Sequence, residues 1–320
     1  MPSLKEIKNR ITSVQSTRKI TSAMKMVASS KLHHAQQMIE NMLPYESMLE
    51  HILKSFLASD VEAKGSITQA RQVKTVAVLA FSSNSSLCGG FNANVLKMLQ
   101  RVIDDYRAKD IDVIVYPIGR KVAEKVQKWG VRSAGTFTQL ADKPNSIECA
   151  EIGRQLQSDF DNGVIDKVEM IYHHFKSAGS QILQDKVLLP IDIESAMDYD
   201  HERDLKSTIA TEKAMEYLKK NQQARDYTNE KGTALNDNFI VEPDMQTVLS
   251  MLVPRYVNLM LYTALLDSNA SEHAARMVAM QTATDNADEL LRELNLQYNK
   301  SRQQAITNEL LDIVGGSVNN

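Results

Sequence analysis

Residues 3–43 contain neither glycine nor proline, and residues 255–314 again contain neither. Such uninterrupted runs leave few options besides very long helices. At the first end, Ser3 followed by Glu6 reads as a capping box. Apolar residues then recur as Leu4, Ile7, Ile11 and Val14, slip register to Ile20, Met24 and Val27, and resume as Leu32, Ala35, Ile39 and Met42. Spacings of three and four predict one helix of about 40 residues, roughly 60 Å long, ended by Pro44.

The second run allows a helix of about 60 residues, near 90 Å. Leu249, Leu252, Tyr256, Leu259, Leu266, Met277, Met280, Leu291, Leu294 and Tyr298 fall on a seven-residue seam, with small Ala270 and Ala287 on the same stripe. A heptad sustained this far implies left-handed supercoiling with a partner helix, and the available partner is the N-terminal one. Both helices leave the same folded middle, so antiparallel pairing is expected. The lengths do not match: roughly 30 Å of the longer helix has no partner from this chain. Beyond Tyr298, Ala305, Ile306, Leu310, Leu311, Ile313 and Val314 must find cover elsewhere, which points to burial in another protein.

Between these ends the chain reads as α/β. Residues 73–81 (VKTVAVLAF) and 111–118 (IDVIVYPI) are short β-branched runs separated by a helical stretch, 92–106, an order that predicts a parallel crossover. Helices are expected over 121–129 and 146–160, and strands over 168–175 and 181–189. Residues 192–238 are charged and polar and read as a surface insertion. The expected organisation is an N-terminal coiled-coil helix (1–60), an α/β domain (70–191), the insertion (192–238) and a C-terminal coiled-coil helix (244–316). The fold class is therefore α/β: a central Rossmann-like domain with a long antiparallel two-helix coiled coil.

Net charge is −3, which does not mark a polyanion binder, but it is unevenly spread. Lys5, Lys8, Arg10, Arg18, Lys19, Lys25 and Lys31 are opposed over that stretch by Glu6 alone, so the first helix favours an acidic surface. It has no interleaved aromatics, which argues against nucleic acid. On physics alone a merely solvated face explains it equally well. Cys88 and Cys149 are too few for a disulfide framework or a four-ligand zinc site. No apolar run approaches the roughly 18 residues needed to span a bilayer, so no membrane insertion is expected. The opening residues lack both an apolar leader core and an Arg/Ser-rich import signal, and we expect a bacterial protein on the cytosolic side.

Candidate chemistry is sparse. The Ser-rich turn at 82–92 follows a strand and precedes a helix, the place for a phosphate cradle, yet it matches neither G-x-x-x-x-G-K-[ST] nor G-x-G-x-x-G. Cys88, Gly89 and Gly90 read instead as a tight turn needing unusual backbone angles. The pairs His33-His34 and His173-His174 diverge on any regular element, so neither chelates one metal alone. No nucleophile elbow, zinc-protease or Walker motif is present. No catalytic, metal or cofactor site is expected.

Residues 4–36 (LKEIKNRITSVQSTRKITSAMKMVASSKLHHAQ), the turn Leu87-Cys88-Gly89-Gly90-Phe91-Asn92 and residues 271–316 (SEHAARMVAMQTATDNADELLRELNLQYNKSRQQAITNELLDIVGG) together resemble the F-type ATP synthase gamma subunits. The resemblance implies a rotor that catalyses nothing itself. Its coiled coil stands in a ring of alternating alpha and beta subunits, and its α/β foot meets the epsilon subunit and the membrane c-ring. The setting would be the cytoplasmic face of the bacterial inner membrane, with peripheral attachment. By the same resemblance Met24 and Lys25 face acidic beta-subunit loops. Arg302, Gln303, Thr307 and Glu309 meet a catch loop on a beta subunit, and Ile306, Leu310, Leu311, Ile313 and Val314 form an apolar bearing tip. Phe239 and Glu242 belong to the foot. The family usually carries an acid, a base and a glycine before Leu-Cys-Gly-Gly, where this chain has Asn84, Ser85 and Ser86. The rival expectations are a non-rotary coiled-coil adaptor and a nucleic-acid-associated structural protein.

Overall fold

The computed structural model describes residues 3–59, 71–191, 241–242 and 244–317. The expected insertion at 192–238, and Phe239, lie outside them. Two units emerge: residues 1–30 with 276–320, and residues 31–275.

The larger unit is built on a five-stranded sheet in the order β3-β2-β1-β4-β5. The strands are β1 (Thr75–Phe81), β2 (Asp112–Ile118), β3 (Arg132–Ser133), β4 (Lys167–Ser177) and β5 (Ser180–Leu189). Parallel pairing joins β1 to β2 and to β4, and the expected crossover is made by helix α2 (Phe91–Arg107). The hairpin β4-β5 adds one antiparallel edge. β1 and β2 are buried on both faces, which is why they read as continuous apolar runs and not as alternating ones.

One face packs Val76, Val78 and Ala80 against Val95, Leu99 and Ile103 of α2 and against Val122 and Val126 of α3 (Arg120–Trp129). The other packs Ala77, Leu79 and Phe81 against α4 (Thr138–Asp142), α5 (Ser146–Asp161) and the two terminal helices. These last are α1 (Leu4–Ser59) and α6 (Met245–Ser317).

Pro44 does not end α1 as its chemistry suggested; it lies inside the helix. An interior proline costs about 3 kcal/mol. Beyond it Leu49 and Leu53 are buried in the sheet's core, each contributing roughly 1.5–3 kcal/mol, which offsets that cost. Pro254 is tolerated in α6 on the same terms, with Val253, Tyr256 and Val257 in the core around it.

Within the larger unit α6 is not a helix with one apolar seam. Thr263, Asp267, Ser268, Asn269, Ser271, Glu272 and His273 are all buried together with their apolar neighbours. α6 carries an 18-residue window apolar enough on average to cross a membrane, contrary to expectation. More than half of that window is buried inside the protein, as in the core helix of a water-soluble fold.

Candidate functional site

The smaller unit is a pair of helical segments. At its start the capping box forms as read: Ser3 N–H donates to Glu6 Oε2 at 2.8 Å, and Glu6 N–H donates to Ser3 Oγ at 3.3 Å. Arg18 Nε lies 2.6 Å from Asp288 Oδ1, and Thr21 Oγ1 lies 2.8 Å from Thr284 Oγ1. As one number rises the other falls, so the segments run antiparallel.

The expected slip of register does not occur. Ile7, Thr21 and Ala28 are buried, with Leu4, Ile11, Val14 and Lys25 partly so, which follows one heptad throughout; at its remaining position Arg18 is exposed and reaches Asp288 instead. Ile20 and Val27 are 60% and 58% exposed and point away from it. A seam that accepts Thr21 and Ala28 lets two helix backbones approach closely, whereas an apolar count along the sequence skips the threonine. The opposing stripe is Met280, Ala287, Leu291 and Leu294, all buried. Ile20 and Val27 therefore make an uncovered apolar strip among basic residues, and Met26, also exposed, lies about 100° further around the helix. The signal for the strip was present: apolar residues one position off a strict heptad.

Met24 is half-buried beside Ile20 and Val27, while Lys25, also half-buried, lies on the seam side of the helix. The helix-pair register sets Leu4 opposite residues 301–302, and α6 continues past it by roughly 24 Å. On this overhang Arg302, Gln303, Thr307 and Glu309 are exposed, as are Ile306, Leu310 and Leu311. Arg302, Ile306 and Glu309 share one face; Gln303, Thr307 and Leu310 share the next. The Thr307 hydroxyl donates to Gln303 O at 2.9 Å. Ile313 and Val314 lie within the helical span. Glu242 is exposed just ahead of α6.

Side chains of the central turn accept backbone donors from the turn itself and from the start of α3. Ser83 N–H donates to Asn92 Oδ1 at 3.0 Å, Arg120 N–H to Asn84 Oδ1 at 2.9 Å and Val122 N–H to Ser82 Oγ at 3.1 Å. The bonds from Arg120 and Val122 tie the start of α3 to the side chains of the turn. Cys88 is buried and accepts from Asn92 Nδ2 at 3.1 Å. Gly89 takes φ of 58° as a tight turn requires, while Gly90 is ordinary at −80°. Asn84 Nδ2 also donates to Thr138 O and to Asp142 Oδ2, both at 2.7 Å. A carboxylate at this position could not donate either bond, so the departure from the family's acid is matched by its surroundings.

The histidines diverge as expected. His173 stacks on Phe91 with ring centroids 4.5 Å apart, and burial pushes its pKa down to about 4. His174, on the opposite face of β4, sets Nδ1 2.7 Å from Asp267 Oδ2. Among the described residues no group of three His, Cys, Asp or Glu is placed to hold a metal. Burial raises the Cys149 thiol to about 12, leaving it protonated at neutral pH and unsuited to nucleophilic chemistry.

The family described as ATP synthase matches residues 3–318. The chain is 49% identical to the ATP synthase gamma chain of Bacteroides thetaiotaomicron and 51% identical to that of Bacteroides fragilis strain ATCC 25285. Each match covers 99% of this chain and 100% of the relative. It is also similar in fold to a chain of the Euglena gracilis mitochondrial ATP synthase, solved with its OSCP, F1 and c-ring. There the TM-score is 0.61 at 18% identity, covering 98% of this chain and 93% of that one.

Proposed function

The chain belongs to the ATP synthase gamma chain family, and from that premise we propose that it is the turning shaft of a proton-translocating enzyme and carries no catalytic group of its own. Its partners on this reading are the alternating alpha and beta subunits of the catalytic ring, the epsilon subunit and the membrane c-ring. It works at the cytoplasmic face of the bacterial inner membrane, attached peripherally. Catalysis resides on the beta subunits; the shaft changes their nucleotide affinity only through contacts that differ from one angle to the next.

The observation that carries this reading is the uncovered end of α6. A helix that exposes Ile306, Leu310 and Leu311, after a seam that buries Leu291 and Leu294, is finished for a foreign apolar sleeve. Such a lining suits a bearing. Burial is non-directional, so the tip turns without breaking oriented hydrogen bonds. Arg302, Gln303, Thr307 and Glu309, exposed around that tip, supply the angle-dependent polar contacts. A guanidinium is suited to a charge-assisted bond that forms at one angle and breaks at the next. Lower on the pair, Met24 and Lys25, with the strip of Ile20 and Val27 and with Met26, face the acidic beta-subunit loops. Glu242 and Phe239 belong to the foot's contacts with epsilon and the c-ring.

The test is co-purification followed by reconstitution. The expected result is one copy of this chain in a stoichiometric particle with three pairs of nucleotide-binding subunits, whose ATP hydrolysis pumps protons. A chain that purifies alone from its own cells, with no such particle, overturns the proposal.

A further inference from the structure

A shaft needs two opposite kinds of contact: one that slips at the bearing and one that does not slip where torque enters. The buried polar stretch of α6 supplies the second kind.

Burying polar groups is costly unless they are hydrogen-bonded, and a helix meant only to be stable there would be built from leucine and alanine. Instead, three side chains of the buried stretch reach the foot. The His174 Nδ1–H donates to Asp267 Oδ2 at 2.7 Å, in a pair almost fully enclosed. Ser271 Oγ donates to His173 O at 3.2 Å. Asn269 Nδ2 donates to Ala141 O at 2.9 Å.

Helix geometry gives these bonds a mechanical meaning. Asp267 and Ser271 are one turn apart and leave α6 in nearly the same direction, toward consecutive residues of β4. Asn269 leaves about 160° away from Asp267, toward α4. The helix is gripped from opposite sides by directional bonds and cannot turn about its own axis, or slide along it, without breaking them. The close-packed apolar core also resists such motion, and the hydrogen bonds add contacts that exist at one angle and one axial position only.

We infer that Asp267, Asn269 and Ser271 are positioning residues that fix α6 against rotation inside the foot, so that torque delivered to the foot enters the helix without slip. The inference rests on the shaft reading above. It assigns the work of torque entry to side chains distinct from every contact proposed there.

The experiment compares the complete enzyme carrying Asn269→Leu, and the enzyme carrying Asp267→Asn with Ser271→Ala, against the unaltered complex in sealed vesicles. The readout is protons pumped per ATP hydrolysed, with hydrolysis by the detached catalytic particle measured in parallel. Asn269→Leu keeps the γ-branched shape and heavy-atom count while removing the donor, which protects the test if the double variant fails to assemble. Expected is a fall in the pumping ratio of about two- to fivefold, on the scale of one or two lost buried hydrogen bonds, with hydrolysis by the detached particle retained. A merely structural role would lower assembly and hydrolysis together and leave the ratio of the surviving complexes unchanged. A ratio unchanged in Asn269→Leu overturns the inference. If the unaltered complex itself shows no pumping, it is the shaft reading that fails.

Discussion

Thr21 Oγ1 and Thr284 Oγ1 meet at 2.8 Å, one hydroxyl from each helix of the antiparallel pair. Each also lies near a carbonyl of its own helix, Arg18 O at 3.0 Å and Met280 O at 2.8 Å. Two protons cannot satisfy three such contacts at once. Removing one hydroxyl therefore leaves the other able to donate to its own backbone, with nothing orphaned. What the site requires is small size. Thr21→Val should change thermal stability by less than about 1 kcal/mol, whereas Thr21→Leu should overpack the seam and cost about 1–3 kcal/mol. Calorimetry of the two variants distinguishes these outcomes.

A second close approach lies between α5 and α6. A Cβ added at Gly153 would sit 2.0 Å from Asn258 Oδ1 and 3.3 Å from a Leu261 methyl. Alanine in a helix normally gains about 1 kcal/mol over glycine. Here the clash should dominate, so that Gly153→Ala destabilises by about 1–3 kcal/mol in urea unfolding. Combining it with Asn258→Ala should recover part of that loss, because the offending oxygen is gone.

His173 sets a pH dependence. Its pKa falls from an ordinary 6.5 to about 4 because it is buried, so the unfolded chain binds the proton first as pH drops. Its contribution is intact above pH 6.5 and is lost progressively as pH falls toward 4. Between pH 6.5 and 5 the loss is at most about 2 kcal/mol. His173→Phe keeps the stack on Phe91 and should flatten the urea midpoint over that interval. An unchanged slope would assign the acid sensitivity to other groups.

On the overhang, Arg302→Ala should lower coupled ATP synthesis in reconstituted vesicles by about tenfold or more, in line with about 1.5–3 kcal/mol for a charge-assisted hydrogen bond. Circular dichroism of the isolated chain should not change, since Arg302 is exposed and supports no fold contact. Synthesis at the unaltered rate would remove this residue from the beta-subunit contact.

The sequence was informative where the chain is periodic or strongly apolar. Strand limits such as 111–118 against the observed Asp112–Ile118 agree closely, because buried parallel strands read as β-branched runs. The unpartnered end of α6 was legible from helix length alone. Two readings failed for physical reasons. Pro44 reads as a stop because local propensity cannot foresee that Leu49 and Leu53 lie in a core assembled from distant segments. A hydrophobic count places the seam on Ile20 and Val27 because it overlooks Thr21. Other features were out of reach. β3 is only two residues long, and His174 pairs with Asp267 across 93 positions of chain. The roles of the overhang residues rested on family resemblance, since exposed polar side chains on a helix carry no pattern of their own.

The bare leucines of the overhang also bear on how the chain is made and kept. Until a sleeve closes over them, Leu310 and Leu311 offer a sticky handle to chaperones, proteases and other unassembled copies. A surplus of this subunit over its ring should therefore be short-lived in the cell. Supply of the shaft is then matched to supply of its housing by degradation of whatever is left unhoused.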